Sequence, residues 1–224
     1  MLEIENEVGR SKSVRWQEML QKKNNPTIFA GRHLAGPALL PSILQLKGAL
    51  ESQGESLHFV TDAGLGFIFQ KLKFKTIPLN TPQKGRWAEK YFAGQAGIIA
   101  ARILGNLSGA YGEGSCNAME MVGRCVDIIN KGSNILIFPQ AYTDVRGDLR
   151  WRIGMAKIIQ ELIPDAVPEK DWGFNVGLIK LNIRGITDIN MLDSHKLIGL
   201  GVGKQTKPHN LMSILQREYN RKVN

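Results

Sequence analysis

The first half of the chain alternates short apolar runs with longer stretches whose apolar residues recur at helical spacing. Three runs, Thr27–Ala30, Leu57–Thr61 and Thr76–Leu79, are typical of short strands buried in a sheet. A helix is predicted after the first strand, because Leu39, Leu40, Ile43, Leu44, Leu46 and Leu50 recur at mostly helical spacing. A second helix is predicted around residues 65–72. The order βαβαβ favours a largely parallel sheet covered by helices.

The second half continues this alternation after a glycine-rich stretch. Residues 93–114 carry six glycines among apolar residues, which indicates either close helix packing or a surface that meets acyl chains. Asn134–Phe138 is the clearest buried strand, and the helix before it is expected to start at the N-cap Ser115 and end near Gly132. The remaining predicted elements are a helix at 153–163, strands at 174–181 and 197–202, and an amphipathic helix at 211–219.

These elements predict a single α/β domain at residues 25–205, built on a mixed, mostly parallel sheet covered by helices. A helical or flexible segment is expected at residues 1–24, and a basic amphipathic helix at 206–224. Residues 199–204 read GLGVGK, but their spacing fits neither a dinucleotide-binding motif nor a phosphate-binding loop.

The charge of the chain predicts acidic partners. Its 29 lysines and arginines exceed its 20 aspartates and glutamates by nine, which suits phosphate groups, anionic lipid headgroups or nucleic acid. No helix-turn-helix, RNP-like strand or zinc knuckle is recognisable, so a nucleic-acid partner is not expected, although the charge keeps that alternative open. The segment from Lys84 to Phe92 interleaves cations with aromatic rings, as a segment lying on an anionic membrane surface would, or as a surface helix with its rings in the core.

Other features of composition bear on location and on metal binding. The chain has no signal peptide and no apolar run long enough to span a membrane, which predicts a cytoplasmic protein, peripheral at the inner membrane face if it acts on lipid. Cys116 and Cys125 would lie more than two turns apart in one helix, too far for a disulfide. No CxxC pair is present, so no metal site is expected.

The most informative stretch runs from Phe138 to Ala156. A buried strand ends at Phe138-Pro139, since proline cannot donate a hydrogen bond to a neighbouring strand. The following residues therefore leave the sheet at its carboxyl edge, where parallel sheets usually place their sites. A turn at residues 146–148 then leads past Arg150 and Arg152 into a helix, and cations beside helix N-terminal amides favour an anion.

This stretch resembles the third motif of the glycerol-phosphate and lysophospholipid acyltransferase family, in which a strand ends in FPEG and a basic segment leads to a helix. The match keeps the order and spacing of Phe138, Pro139, Gly147, Leu149, Arg150, Gly154 and Ala156. Upstream, His33 follows the strand Thr27–Ala30, as the histidine of the family's HxxxxD motif follows its strand. The stretch 75–80, KTIPLN, is similar to the family's second motif, so the resemblance covers roughly residues 27 to 185.

The resemblance implies an acyltransferase in which His33 is the general base. It would take a proton from the hydroxyl of a lipid or glycerol-phosphate-type acceptor, which then attacks the thioester of acyl-CoA or of acyl carrier protein. The thioester is a co-substrate, and no further cofactor is expected.

Several motif positions carry other residues here. Ala38 stands in place of the family's aspartate, and Asn80 in place of the second-motif arginine. Gln140, Tyr142 and Thr143 stand in place of the third motif's Glu, Thr and Arg. Three hypotheses follow: an acid such as Asp62 or Asp144 supports His33, other arginines bind the acceptor, or the chain is a non-catalytic binder of lipid or acyl carrier that kept the fold. The predicted substrate-binding residues are Arg32, Arg86, Gln140, Tyr142, Thr143, Arg146, Arg150 and Arg152.

Overall fold

A computed structural model of the chain describes residues 16–31, 40–61, 70, 73–78, 118–138, 153–165, 171–182 and 184–223. Its strands are β1 (Thr27–Gly31), β2 (Leu57–Thr61), β3 (Lys75–Pro78), β4 (Asn134–Ile137), β5 (Asn175–Asn182) and β6 (Gly185–Leu192). Its helices are α1 (residues 16–21), α2 (Leu40–Glu51), α3 (Ala118–Asn130), α4 (Ile153–Leu162), α5 (Ser194–Gly199) and α6 (Pro208–Val223).

The described strands form one six-stranded sheet in the order β3-β2-β4-β1-β5-β6. The first five strands of this order run parallel, and only β6 is antiparallel, paired with β5 through a hairpin. The parallel strands therefore all end at one edge, here called the carboxyl edge, and begin at the opposite amino edge. The predicted α/β class with a mixed, mostly parallel sheet is confirmed.

Each face of the sheet is covered by its own set of helices. On one face, Ile43, Leu46 and Leu50 of α2 pack with Phe29 of β1 and Leu136 of β4. The opposite face carries the larger core, in which buried residues of α3, α4 and α6 pack with alternate residues of the same strands; examples are Val122, Cys125, Met155, Ile158, Ile159, Leu211, Leu215, Ile28 and Ile135. The alternation of the strands between two apolar faces explains why their sequences are apolar throughout rather than every second residue.

Most predicted elements are confirmed. The end of α3 shows why Gly132 indicated the end of a helix. Gly132 has a φ of 79°, a conformation that favours glycine. Its amide bonds the carbonyl of Ile129 at 2.9 Å, and the amide of Ser133 bonds that of Ile128 at 3.1 Å. These two bonds form a Schellman motif, which ends the helix and turns the chain into β4. The predicted helix at 65–72 and the glycine-rich stretch 93–114 lie outside the described residues, apart from Gln70, which is helical.

The strand predicted at 197–202 is wrong, because these residues form α5 and a turn. The side chain of Asp193 caps the helix by accepting a hydrogen bond from the amide of Lys196. Gly201, with a φ of 82°, ends it, and the amide of Val202 bonds the carbonyl of Leu197. This second Schellman motif places the buried Leu197 and Val202 together, so their apolar character reflects a helix end rather than a strand.

The sequence pattern did not predict β6, and a bulge explains the omission. Lys180 pairs with Asp188 but Leu181 pairs with Ile186, so Thr187 is an extra residue in the hairpin. Ile186 and Ile189 consequently both join the core beneath α2, although they are three residues apart. The alternation of apolar and polar residues that is typical of a strand is therefore interrupted at Thr187.

Helix α2 is tied to this hairpin by the side chain of Gln45. Its Oε1 accepts from the amide of Ile186 at 2.9 Å, and its Nε2 donates to the carbonyl of Arg184 at 3.4 Å. Gly185, between them, has a φ of 131°, and a Cβ there would lie 2.1 Å from Oε1 of Gln45. The hairpin therefore fixes the position of α2 over the sheet.

Across the parts of the chain that the structure describes, no helix is both long and apolar enough to cross a lipid bilayer.

Candidate functional site at the carboxyl edge

Strands β1 and β4 are neighbours, although about a hundred residues separate them in the chain. Ile28 pairs with Ile135, Phe29 with Leu136 and Ala30 with Ile137. This register sets Gly31, the last residue of β1, beside Phe138, the first residue after β4. The two strands thus end side by side, at the carboxyl edge.

The chain leaves these two strands toward opposite faces of the sheet. From β1 it passes through α2 to β2, on the far side of β4; from β4 it passes through α4 to β5, on the far side of β1. Helices α2 and α4 lie on opposite faces, as their separate core clusters show. The boundary between β1 and β4 is therefore a topological switch point, the place where open α/β sheets bind their ligands.

A small apolar cavity lies below this boundary, between α2 and the ends of the strands. Its lining includes Ser42, Ile43 and Leu46 of α2, Phe138 after β4, and Ile179 and Leu181 of β5. This edge cavity has a volume of about 10 Å³ and holds no more than one water-sized sphere. The ring of Phe138 closes one side and meets the ring of Phe59 edge-to-face, with 5.7 Å between centroids.

Gly31 leaves room at the rim of the edge cavity because it has no side chain. A Cβ at this position would lie 3.2 Å from Cδ1 of Leu181 and 3.4 Å from Cε1 of Phe138. Both distances are at or below ordinary contact, so a larger residue would press on the two side chains that border the cavity.

Ser42 is the one polar residue among those named for the edge cavity. Its side chain is buried at 2% exposure, and its Oγ has no hydrogen-bond partner within the part of the chain that the structure describes. It belongs to the first turn of α2, whose amino end lies at the carboxyl edge because α2 runs antiparallel to the strands it connects. Sequence reasoning missed this residue, although a serine one turn before Leu46, on the apolar side of a helix, was a visible signal.

The predicted site residues all lie outside the described residues. They are His33, Arg32, Arg86, Gln140, Tyr142, Thr143, Arg146, Arg150 and Arg152, together with the candidate acids Asp62 and Asp144. The structure brings together the residues that immediately precede two of these groups, Gly31 and Phe138. The described residues therefore define the edge of the sheet and the cavity beneath it.

A larger cavity of about 270 Å³ lies at the opposite, amino edge. It is lined by the end of α2 and the starts of β2 and β3, with Lys47, Lys73 and Lys75 facing Glu51 and Glu55. Lys47 pairs with Glu51 at 2.6 Å, and Glu55 pairs with Lys23, whose side chain is buried. Both carboxylates that line this cavity are therefore already paired with a lysine. We place the candidate site at the carboxyl edge, despite the smaller cavity there, because parallel strands direct their following loops to that edge.

His58 lies near the amino edge, away from the candidate site. It pairs with Lys75 on one neighbouring strand and with Ile135 on the other. Burial and, to a smaller extent, the charge of Lys75 lower the pKa of His58 below its ordinary value, against the effect of a hydrogen bond with the backbone of Asn134. Its Nδ1 is buried and has no partner among the described residues, so a second ring proton would find no acceptor there.

Comparison of the chain with family models, with curated proteins and with solved structures finds no match in any of the three.

Proposed function

We propose that this chain transfers an acyl group from an acyl thioester, carried by CoA or acyl carrier protein, to a hydroxyl of a glycerolipid-type acceptor, with His33 as the general base. The observation that carries the proposal is the switch point, where β1 and β4 end side by side. In this layout the residues that follow β1 and those that follow β4 start from adjacent points of one sheet edge, which supports the proposal.

Chain connectivity limits how far those residues can lie from the edge. His33 follows Gly31 by two positions, and Gln140 follows Phe138 by two positions. Two residues span at most about 7 Å, so the backbone at positions 33 and 140 stays close to the end of its strand. A base from one segment and a binding group from the other can then act on one substrate.

The proposed reaction needs one proton carrier. The acceptor oxygen attacks the thioester carbon while His33 takes the hydroxyl proton, which gives a tetrahedral intermediate. The C–S bond then breaks, and the leaving thiolate takes the proton back from His33. The new C–O ester bond remains on the acceptor, and His33 returns to its neutral form.

The missing family aspartate makes a substitute acid part of the proposal. Asp62 directly follows the last residue of β2, and β2 is separated from β1 only by β4. Strands lie about 4.8 Å apart, so the ends of β2 and β1 are about 10 Å apart, a gap that two side chains can bridge. We propose Asp62 as the group that orients the ring of His33, with Asp144 as the alternative.

In this proposal, basic residues bind the acceptor and hold the protein against the membrane surface. Arg32, Arg146, Arg150 and Arg152 follow β1 and β4 and would bind a phosphate or carboxylate of the acceptor, as Arg86 would from its own segment. Gln140, Tyr142 and Thr143 would add polar contacts. The stretch from Lys84 to Phe92 would hold the protein against an anionic membrane surface.

The proposal is tested by measuring release of free CoA from dodecanoyl-CoA, with glycerol 3-phosphate or lysophosphatidate as acceptor. We expect acceptor-dependent release by the wild type and loss of it in His33→Ala. Binding of dodecanoyl-CoA without any release would instead identify a non-catalytic acyl binder. Equal release by wild type and His33→Ala would contradict the role of His33.

A further inference from the structure

Ser42 carries a buried hydroxyl group that makes no hydrogen bond to any residue the structure describes. The residue is 2% exposed, and its Oγ has no partner among residues 16–31, 40–61 and the other described stretches. An unsatisfied buried hydroxyl destabilises a fold by about 1–3 kcal/mol. Five buried side-chain atoms among the described residues have no partner, and the Oγ of Ser42 is the one that belongs to the lining of the edge cavity. An alanine would fill the same place in α2 without that cost and with better helix propensity.

Water does not explain this hydroxyl. A buried water normally makes about three hydrogen bonds to polar groups around it. The edge cavity has room for one water, but the residues named with Ser42 in its lining are all apolar: Ile43, Leu46, Phe138, Ile179 and Leu181. A group that matches this environment is a single acceptor atom attached to an apolar chain.

The place of Ser42 agrees with a ligand that arrives at the carboxyl edge. The residue lies in the first turn of α2, at the end of the helix that faces this edge, and Phe138 borders the same cavity. Phe138 and Leu181 are only half-buried, and Gly31 has no side chain between them. Rotation of these two side chains would open the cavity toward the ends of β1 and β4.

We propose that the edge cavity binds the carbonyl end of an acyl chain, and that the hydroxyl of Ser42 donates a hydrogen bond to the carbonyl oxygen of an acyl thioester. This inference rests on the proposed function and names the group that recognises its donor. The first methylenes of the chain would contact Ile43, Phe138 and Leu181. The same hydrogen bond would strengthen as the carbonyl oxygen gains negative charge during attack.

The test compares two ligands that differ at the carbonyl group. Dodecanoyl-CoA is a thioester, whereas dodecyl-CoA is the thioether of the same chain length and lacks the carbonyl oxygen. Binding of each is measured by calorimetry without acceptor. We expect the wild type to bind the thioester about 5- to 10-fold more tightly, the effect of one hydrogen bond, and Ser42→Ala to bind both ligands equally.

A second readout separates binding from a structural role. Ser42→Ala should raise the Tm by about 2–4 °C, because it removes an unpaired buried hydroxyl. Ser213→Ala is the matched control: Ser213 is an exposed serine of α6 whose Oγ bonds the carbonyl of His209 at 2.9 Å. This control should keep the wild-type preference for the thioester.

The outcomes distinguish this inference from the proposed function. Equal binding of both ligands by the wild type would overturn the role of Ser42 and leave acyl transfer standing. An undiminished preference for the thioester in Ser42→Ala would do the same. Failure of the wild type to bind either ligand would overturn both proposals, and the wild-type comparison alone gives that answer even if the variant does not fold.

Discussion

Gly31 and Phe138 lie side by side at the ends of two adjacent parallel strands, with only 3.4 Å between the position of a Cβ on Gly31 and Cε1 of Phe138. This contact joins two parts of the chain that are more than a hundred residues apart. Because Gly31 has no side chain, there is room between Leu181 and Phe138 at the rim of the edge cavity. The consequences of this arrangement can be measured.

Gly31→Val should weaken the binding of acyl chains while keeping the fold. Its side chain would press on Leu181 and Phe138, both of which are only half-buried, so we expect a stability loss of about 1–3 kcal/mol. If the cavity takes the chain, dodecyl-CoA should bind at least about 10-fold more weakly, which calorimetry can measure. Gly123→Val is the control, because a Cβ at Gly123 on α3 meets no atom within 4 Å. Undiminished binding by Gly31→Val would show that the chain binds elsewhere.

Gly185→Ala should be one of the most destabilising single changes in the hairpin. The φ of 131° is unfavourable for any other residue, and the new Cβ would displace the end of the Gln45 side chain from its hydrogen bonds to Ile186 and Arg184. We expect a loss of about 2–4 kcal/mol in the free energy of unfolding, measured by urea denaturation. Gly48→Ala in α2, where a Cβ meets no atom within 4 Å, should instead stabilise by about 0.5–1 kcal/mol. A small effect would show that neither the φ of Gly185 nor its contact with Gln45 constrains the hairpin.

Asn134 should be essential for the amino edge of the sheet. Its Oδ1 accepts from the amide of Thr27 at 2.9 Å and from the ammonium of Lys23 at 3.1 Å, and its Nδ2 donates to Glu55 at 2.7 Å. Asn134→Ala would leave the buried amide of Thr27 without this acceptor and would remove two hydrogen bonds from the Lys23–Glu55 pair, which itself remains. We expect a loss of about 2–4 kcal/mol in chemical denaturation.

Its comparison is the exposed pair Lys47–Glu51 on α2, where the side chain of Glu51 is 53% exposed. Glu51→Gln should change stability by no more than about 0.5 kcal/mol, since exposed pairs contribute little. Equal effects at the two positions would contradict the assigned role of Asn134.

The stability of the protein should fall as the pH drops below about 6.5, in part through His58. Because the folded state lowers the pKa of His58 from its ordinary value of 6.5, the unfolded chain binds the proton more readily. The contribution is fully present above pH 6.5 and is lost as the pH falls through the lowered pKa. His58→Gln should flatten this part of the profile, measured as Tm between pH 7.5 and 5. A steeper profile in this variant would show that the sign is wrong.

Strands β1 to β5 were predictable from the sequence because each is a short apolar run between turn residues. The bounds of β2 match the prediction. The hairpin strand β6 was not predictable, because the extra residue at Thr187 breaks its alternation. Helix α5 was mistaken for a strand, since Leu197, Leu200 and Val202 are apolar and the capping role of Asp193 was not recognised. In each case local backbone geometry decided the outcome over the apolar pattern.

The candidate site was predictable only in part. The positions where β1 and β4 end follow from the residues of each strand. Their adjacency, however, arises because α2 leads the chain from β1 to β2 and leaves between them the place that β4 takes, about eighty residues after α2. The pattern of residues within one strand does not indicate which strands will be its neighbours in the sheet. Ser42 could have been noticed as a polar residue on an apolar helix face, whereas its lack of a partner depends on the packing of α2 against β4 and β5.

The most direct measurement of the central claim is transfer of a labelled acyl group from dodecanoyl-CoA to lysophosphatidate, compared between His33→Ala and His195→Ala. His195 is exposed on α5 and has no part in the candidate site. The account predicts labelled product with wild type and His195→Ala, and at least about a hundredfold less with His33→Ala, as for loss of a general base. Product formed equally by all three proteins, or by none, would contradict it.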